Sequence, residues 1–117
     1  MRFNVTLDCI DPEKLAGFWS AALGFEYVGY AEPYAFLRPS DGKGPRLLLQ
    51  RVPEPKQVKN RMHLDLQPQA GDIDAEVVRL KELGATQVSE GFREAYGTRW
   101  IVMADPEGNE FCVGRRA

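Results

Sequence analysis

Val5–Val28 reads VTLDCIDPEKLAGFWSAALGFEYV, and Met62–Val88 reads MHLDLQPQAGDIDAEVVRLKELGATQV. Side by side, the two stretches decide the fold. Each begins with alternating apolar and polar residues around a Leu-Asp pair. Each continues into a helical pattern that stops at Leu-Gly, then into a second strand pattern. Leu64-Asp65 follows Leu7-Asp8 by 57 residues, and Leu83-Gly84 follows Leu23-Gly24 by 60. The second copy therefore carries three extra residues before or within its helix. A period of half the chain means one supersecondary unit used twice.

The helix signals are local. Asp11 suits the N-cap, Pro12 the first helical position, and Glu13 the positive end of the dipole. Leu15, Phe18, Trp19, Ala22 and Leu23 recur at three-four spacing on one face, and Gly24 stops the helix. The second helix starts near Asp72, has Asp74 and Glu76 in its first turn, buries Ile73, Val77 and Leu80, and ends at Gly84. Three strand patterns follow each helix: FEYVGY, YAFLRP and RLLLQRV, then TQVSE, TRWIVMA and EFCVG. PSDGKGP and DPEGN are turns, and the two prolines of VPEPKQVKN mark a linker. The expectation is an α+β protein of two βαβββ modules, about 1–52 and 61–117, joined at 53–60. With one helix per module, one sheet face is covered and the other is left to form a cavity wall.

The bulk numbers set limits. The 117 residues suit one domain built of two small repeats, and 44% hydrophobic residues is ordinary for a globular chain. Fifteen basic and 17 acidic residues give −2, which argues against nucleic acid as the partner. No apolar run approaches the roughly 20 residues of a membrane span. The N-terminal MRFNVTLDCIDPEK lacks the apolar core of a secretory signal, so a cytoplasmic location is expected. Cys9 and Cys112 make no disulfide framework.

Strand alternation assigns faces. Phe3, Val5, Leu7 and Cys9 oppose Asn4, Thr6 and Asp8; Met62, Leu64 and Leu66 oppose His63, Asp65 and Gln67. The apolar sets belong under the helices. In the last strand Phe111 and Val113 take the helix side, which sends Glu110 and Cys112 into the cavity. In RLLLQRV alternation alone does not choose between Arg46, Leu48, Gln50 and Leu47, Leu49, Arg51.

DPEKLAGFWSAALGF, RMHLDL, LKELGATQV and WIVMADPEGNEFCV, which span nearly the whole chain, resemble the vicinal oxygen chelate superfamily of glyoxalases, extradiol dioxygenases and bleomycin-resistance proteins. The likeness is to its small glyoxalase-like branch. It implies that the modules form a cupped mixed sheet around a central cleft, and that the protein is a homodimer. In the superfamily's metalloenzymes the first and last strands of each module supply His and Glu to a divalent metal, which acts as a Lewis acid. Here His63 stands at the second module's first-strand position. Its repeat partner is Thr6, and counting from Asp-Pro instead gives Asn4. The fourth-strand position falls near Gln50 or Leu48. The last-strand Glu position is Cys112, with Glu110 two residues earlier on the same face. The standard ligand set is therefore incomplete, and the set permits a divalent metal without favouring one.

Each candidate has two readings. His63 is a ligand or acid–base group, or a structural histidine bonded to Asp65. Asp8 and Asp65 are bases or substrate contacts, or partners of Arg2, Arg46 or Arg61. Glu110 is a base or metal ligand with His63, or closes its turn. Cys112 is a soft ligand, a reactive thiol or an inert core residue. Trp100 and Tyr96 suit an aromatic wall, with Asn4, Thr6, Gln50 and Cys112 beside it. Arg51, Lys56, Lys59 and Arg61 attract an anion or are a solvated linker. The resulting expectation is a cleft that binds a small polar or aromatic metabolite, with lyase or isomerase chemistry through His63, Asp65, Asp8 and Glu110. The alternative is a sequestering protein of the bleomycin-resistance type.

Overall fold

Asp11 caps the first helix by accepting the N–H of Lys14 at 3.2 Å, and Gly24 ends it with a left-handed φ of 68°. The computed structural model describes residues 1–69 and 72–116; they fall into two compact units, Met1–Lys56 and a second from Gln57 onward. The first holds β1 (Val5–Cys9), α1 (Pro12–Leu23), β2 (Glu26–Ala31), β3 (Tyr34–Arg38) and β4 (Leu47–Arg51). The sheet order is β1-β4-β3-β2, with β1 and β4 parallel and the other pairs antiparallel. This is the βαβββ module that the alternation and caps predict.

Leu15, Ala16, Phe18 and Trp19 of α1 are buried together with Leu37, Leu47 and Leu49 of the sheet. Phe18 and Trp19 meet edge to face at 5.2 Å. Leu47 and Leu49 therefore face α1. That settles the side of β4 that alternation left open: Leu48 and Gln50 lie on the face away from the helix. In-register partners share a face, so Thr6, Leu48 and Phe36 form one cross-strand row there, and Asp8, Gln50 and Tyr34 the next.

The second unit holds β5 (Asp65–Leu66), α2 (Ile73–Leu83), β6 (Thr86–Gln87), β7 (Arg93–Ala95), β8 (Thr98–Ala104) and β9 (Glu110–Arg116). Asp72 caps α2 through the N–H of Ala75 at 3.1 Å, and Gly84 ends it at φ 119°. The sheet runs β5-β9-β8-β6, again with one parallel pair, β5 with β9; β7 also pairs with β8. Ile73, Val77 and Leu80 of α2 are buried with Ile101, Met103, Phe111 and Val113.

Two details differ from the sequence reading. TQVSE is not one strand, because the N–H groups of Val88 and Ser89 both donate to the carbonyl of Val102, at 2.8 and 3.2 Å. Two residues thus oppose one, as in a β-bulge. The Ser89 hydroxyl then accepts the Val102 N–H at 3.0 Å, and the strand resumes as β7. Met62 and Phe3, both expected under a helix, are 81% and 66% exposed, because β5 begins only at Asp65 and β1 only at Val5. The DPEGN turn is built around Asp105, whose Oδ1 accepts the N–H groups of Glu107 and Asn109 at 2.8 and 3.0 Å.

Candidate functional site

The face of the second sheet away from α2 is written by its register. Asp65 lies opposite Cys112, and Cys112 opposite Val102. One step along, Gly114 lies opposite Trp100, and Trp100 opposite Arg93. Two rows therefore cross the sheet, one carrying carboxylate, thiol and valine, the other a bare glycine, an indole and a guanidinium. Together with His63, Gln67, Tyr96 and Glu110 they line a cavity of about 740 Å³. Its whole lining comes from the second unit. That size lies within the roughly 300–1,000 Å³ of small-molecule sites.

His63, Asp65 and Cys112 form a group able to coordinate a metal ion: one imidazole nitrogen, one carboxylate oxygen and one sulfur lie within 4.8 Å of one another. His63 Nε2 is 3.1 Å from Asp65 Oδ1. Asp65 is thus paired within the site rather than with Arg61. Cys112 is 9% exposed, and its N–H donates to the carbonyl of Leu64 at 2.9 Å. Burial, then the Asp65 charge and a hydrogen bond to Asp65, push the Cys112 thiol up from its ordinary 9.0, against smaller downward pulls from Lys59 and Arg93. The thiol is protonated at neutral pH, which is the state of an inert cysteine rather than an activated nucleophile.

Glu110 lines the same cavity as His63 but lies outside the metal-capable group; Asp65 and Cys112 take the places expected of it. Its Oε1 accepts the N–H of Asn60 at 3.2 Å, and Asn60 also donates to Asn109 Oδ1 at 3.1 Å, which ties it to the DPEGN turn. Trp100 and Tyr96 form aromatic parts of the wall. Asn4, Thr6, Asp8 and Gln50 belong to the first unit and are not in this lining. Asp8 has no ion pair among the described residues.

Arg93 is the charged cavity residue that sequence reasoning missed, because the glycine-containing stretch EGFRE hid its strand; Lys59, which also lines the cavity, belongs to the basic run read from the sequence either as attracting an anion or as a solvated linker. Continuing the alternation of TRWIVMA backwards across the Tyr96-Gly97 turn is the signal that finds Arg93.

A family model described as a glyoxalase-like domain matches residues 4–114. The chain belongs to that family. It is thereby a member of the vicinal oxygen chelate superfamily. No curated protein matches the sequence significantly. Among solved structures, the glyoxalase-like chain is similar to a glyoxalase/bleomycin resistance protein/dioxygenase family enzyme from Burkholderia phytofirmans PsJN, with a TM-score of 0.79, 17% identity, and 98% of this chain and 97% of that one covered. It is also similar to a mutant of the fosfomycin resistance protein FosX from Listeria monocytogenes complexed with Mn(II) and 1S,2S-dihydroxypropylphosphonic acid, with a TM-score of 0.77, 19% identity, and 97% and 88% covered. An integron cassette protein from the Halifax Harbour sewage outfall gives 0.72 at 22% identity, with 97% of each chain covered. At these identities the likeness is one of fold. No helix among the described residues is long and apolar enough to cross a membrane.

Proposed function

We propose that this glyoxalase-like protein binds a small molecule in the second unit's cavity and moves a proton on it through His63. The carrying observation is the convergence of His63, Asp65 and Cys112 beside an apolar floor of Trp100 and Val102 in one cavity. Asp65 accepts from Nε2 of His63, which fixes the tautomer and leaves Nδ1 as the base. The apolar floor excludes water and strengthens polar contacts made above it. Glu110, held by Asn60, is a second carboxylate at the wall, suited to receive or return the proton. His63, Asp65 and Cys112 would hold a divalent metal, and such a metal supplies Lewis acidity to a carbonyl or hydroxyl oxygen of the substrate.

Titration calorimetry with small carbonyl, hydroxyl and carboxylate compounds tests this reading, beside proton–deuterium exchange on any compound that binds. Saturable one-to-one binding with exchange lost in His63→Ala is the expected result. Binding without exchange would refute the catalytic part and leave sequestration. That second reading has its own support in the protonated Cys112, which offers the site no ready nucleophile. The first unit's face of Thr6, Asp8 and Gln50 is proposed as a ligand-binding face in its own right; unchanged affinity for every compound in Asp8→Asn and Gln50→Leu would remove it. A homodimer is expected on family grounds, and sedimentation equilibrium checks it.

A further inference from the structure

The charges of the second unit's cavity are not equivalent. Its acids have partners inside the site: Asp65 is paired with His63, and Glu110 accepts the Asn60 N–H. Its two cations do not. Lys59 and Arg93 line the cavity, and neither makes an ion pair among the described residues. The Lys59 ammonium has only a 3.5 Å contact with the carbonyl of Asn60. Both cations act electrostatically on Cys112, so their charge reaches the cavity floor.

The apolar half of the wall is equally specific. Arg93 stands in register with Trp100, and Trp100 with Gly114, so Trp100 has an arginine as its cross-strand neighbour on one side and a residue with no side chain on the other. At the rim, Tyr96 is fully exposed and adopts φ 52°, beside Gly97 at φ 72°. Two positive φ values make a tight hairpin turn that asparagine and glycine fill most easily. A tyrosine held there, with its ring in water, is strained and gains no burial in return.

Resting on the binding reading above, we infer that the cavity's ligand is a small flat molecule with an anionic head, its carboxylate or phosphonate on Arg93 and Lys59 and its apolar plane against Trp100 and Tyr96. Arg offers two parallel donors to such a head, and the lysine adds a point charge. The aromatic rings give the plane its stacking surface.

The test uses the full chain and the fluorescence of Trp100; Trp19 is only 1% exposed and gives a fixed background. Benzoate, salicylate, cinnamate and indole-3-acetate are each titrated beside the matching primary amide. The expected result is tighter binding of the acids, by about tenfold or more. The preference should shrink in Arg93→Gln and in Lys59→Gln, survive in Arg93→Lys, and weaken as salt is raised. Amides that bind as tightly as acids would overturn the anionic head while leaving cavity binding intact. A preference for acids unchanged in both glutamine variants would also overturn it. No quenching by any compound would overturn both this inference and the binding reading beneath it.

Discussion

Gly114→Ala should destabilise the protein through one identifiable clash. A Cβ at position 114 would lie 2.5 Å from the Arg99 carbonyl oxygen and 2.8 Å from Trp100 Cβ. Ordinary contact begins at 3.4 Å, so the backbone of β8 or β9 must move by several tenths of an ångström. Carbonyl and Cβ are not flexible side-chain ends, and β8–β9 is a ladder paired along seven positions, Thr98–Ala104 against Glu110–Arg116. Overpacking of this kind costs about 1–3 kcal/mol. The alanine also stiffens the unfolded chain, which returns roughly 0.4–1 kcal/mol. The net loss spans about 0–2.6 kcal/mol and centres near about 1.3, so at about 4 °C per kcal/mol for a chain of this size Tm should fall by roughly 5 °C.

Gly17→Ala is the matched control. Gly17 lies inside α1, is exposed, and a Cβ there meets nothing within 4 Å. Alanine should stabilise by roughly 0.5–1 kcal/mol, because glycine loses the most backbone entropy in a helix. Thermal unfolding by circular dichroism reads both variants. If Gly114→Ala melts at or above the wild-type temperature while Gly17→Ala rises as expected, the close approach of β9 to Trp100 is refuted.

Tyr96→Asn should raise stability by roughly 1 kcal/mol, since asparagine tolerates the left-handed region better, while it weakens ligand binding; equal affinity in both proteins would show that the tyrosine touches no ligand. In chelator-treated protein, Cys112 should resist alkylation at neutral pH, and Asp65→Asn should move the pH profile of its alkylation rate downward by removing the charge and hydrogen bond that raise the thiol's pKa. The same shift means that the thiol's contribution to stability is full below 9.0 and is lost as pH rises through the higher folded value, a loss that urea titrations between pH 8 and 11 should show and that Cys112→Ser should lack. Leu80→Ala, at a helix position with 0% exposure, should cost about 2–5 kcal/mol; a smaller loss in urea unfolding would mean that α2 is not fixed on its sheet.

Local chemistry made most of the scaffold readable. Both caps, both glycine stops, the strands β3 and β8, and the burial of Phe111 and Val113 follow from residues within a few positions of each other. What escaped was non-local. The bulge at Val88–Ser89 exists because both N–H groups meet one carbonyl of β8, which no window around TQVSE contains. Met62 alternates correctly yet stays exposed, because alternation buries a residue only where a partner strand has begun. In the site, His63 with Asp65, and Cys112 with Glu110, were legible as shared faces. The grouping of His63 and Asp65 with Cys112 needed the parallel register of β5 on β9, a pairing between residues 47 apart.

That register also sharpens the comparison between the repeats. Asp8 lies opposite Gln50 in a parallel pair, as Asp65 lies opposite Cys112. Thr6 is two residues before Asp8, as His63 is before Asp65. The copies thus share a three-position frame, filled with His, Asp and Cys in one and Thr, Asp and Gln in the other. The frame is a property of the fold, and the donors are a property of the side chains. Thr6→His alone should therefore fold, since Thr6 is exposed, with a stability change within about 0.5 kcal/mol. Without a sulfur at Gln50 it should create no thiolate site. Thr6→His combined with Gln50→Cys should create one. Carried in a Cys112→Ser, Cys9→Ser background, that pair should give added Co(II) a thiolate charge-transfer absorption in the near ultraviolet, and the background without the pair should not. Wild type should show the band through Cys112. A folded double variant with no band, beside a wild type that has one, would show that matching register does not place the donors alike. The repeat would then be one of backbone only.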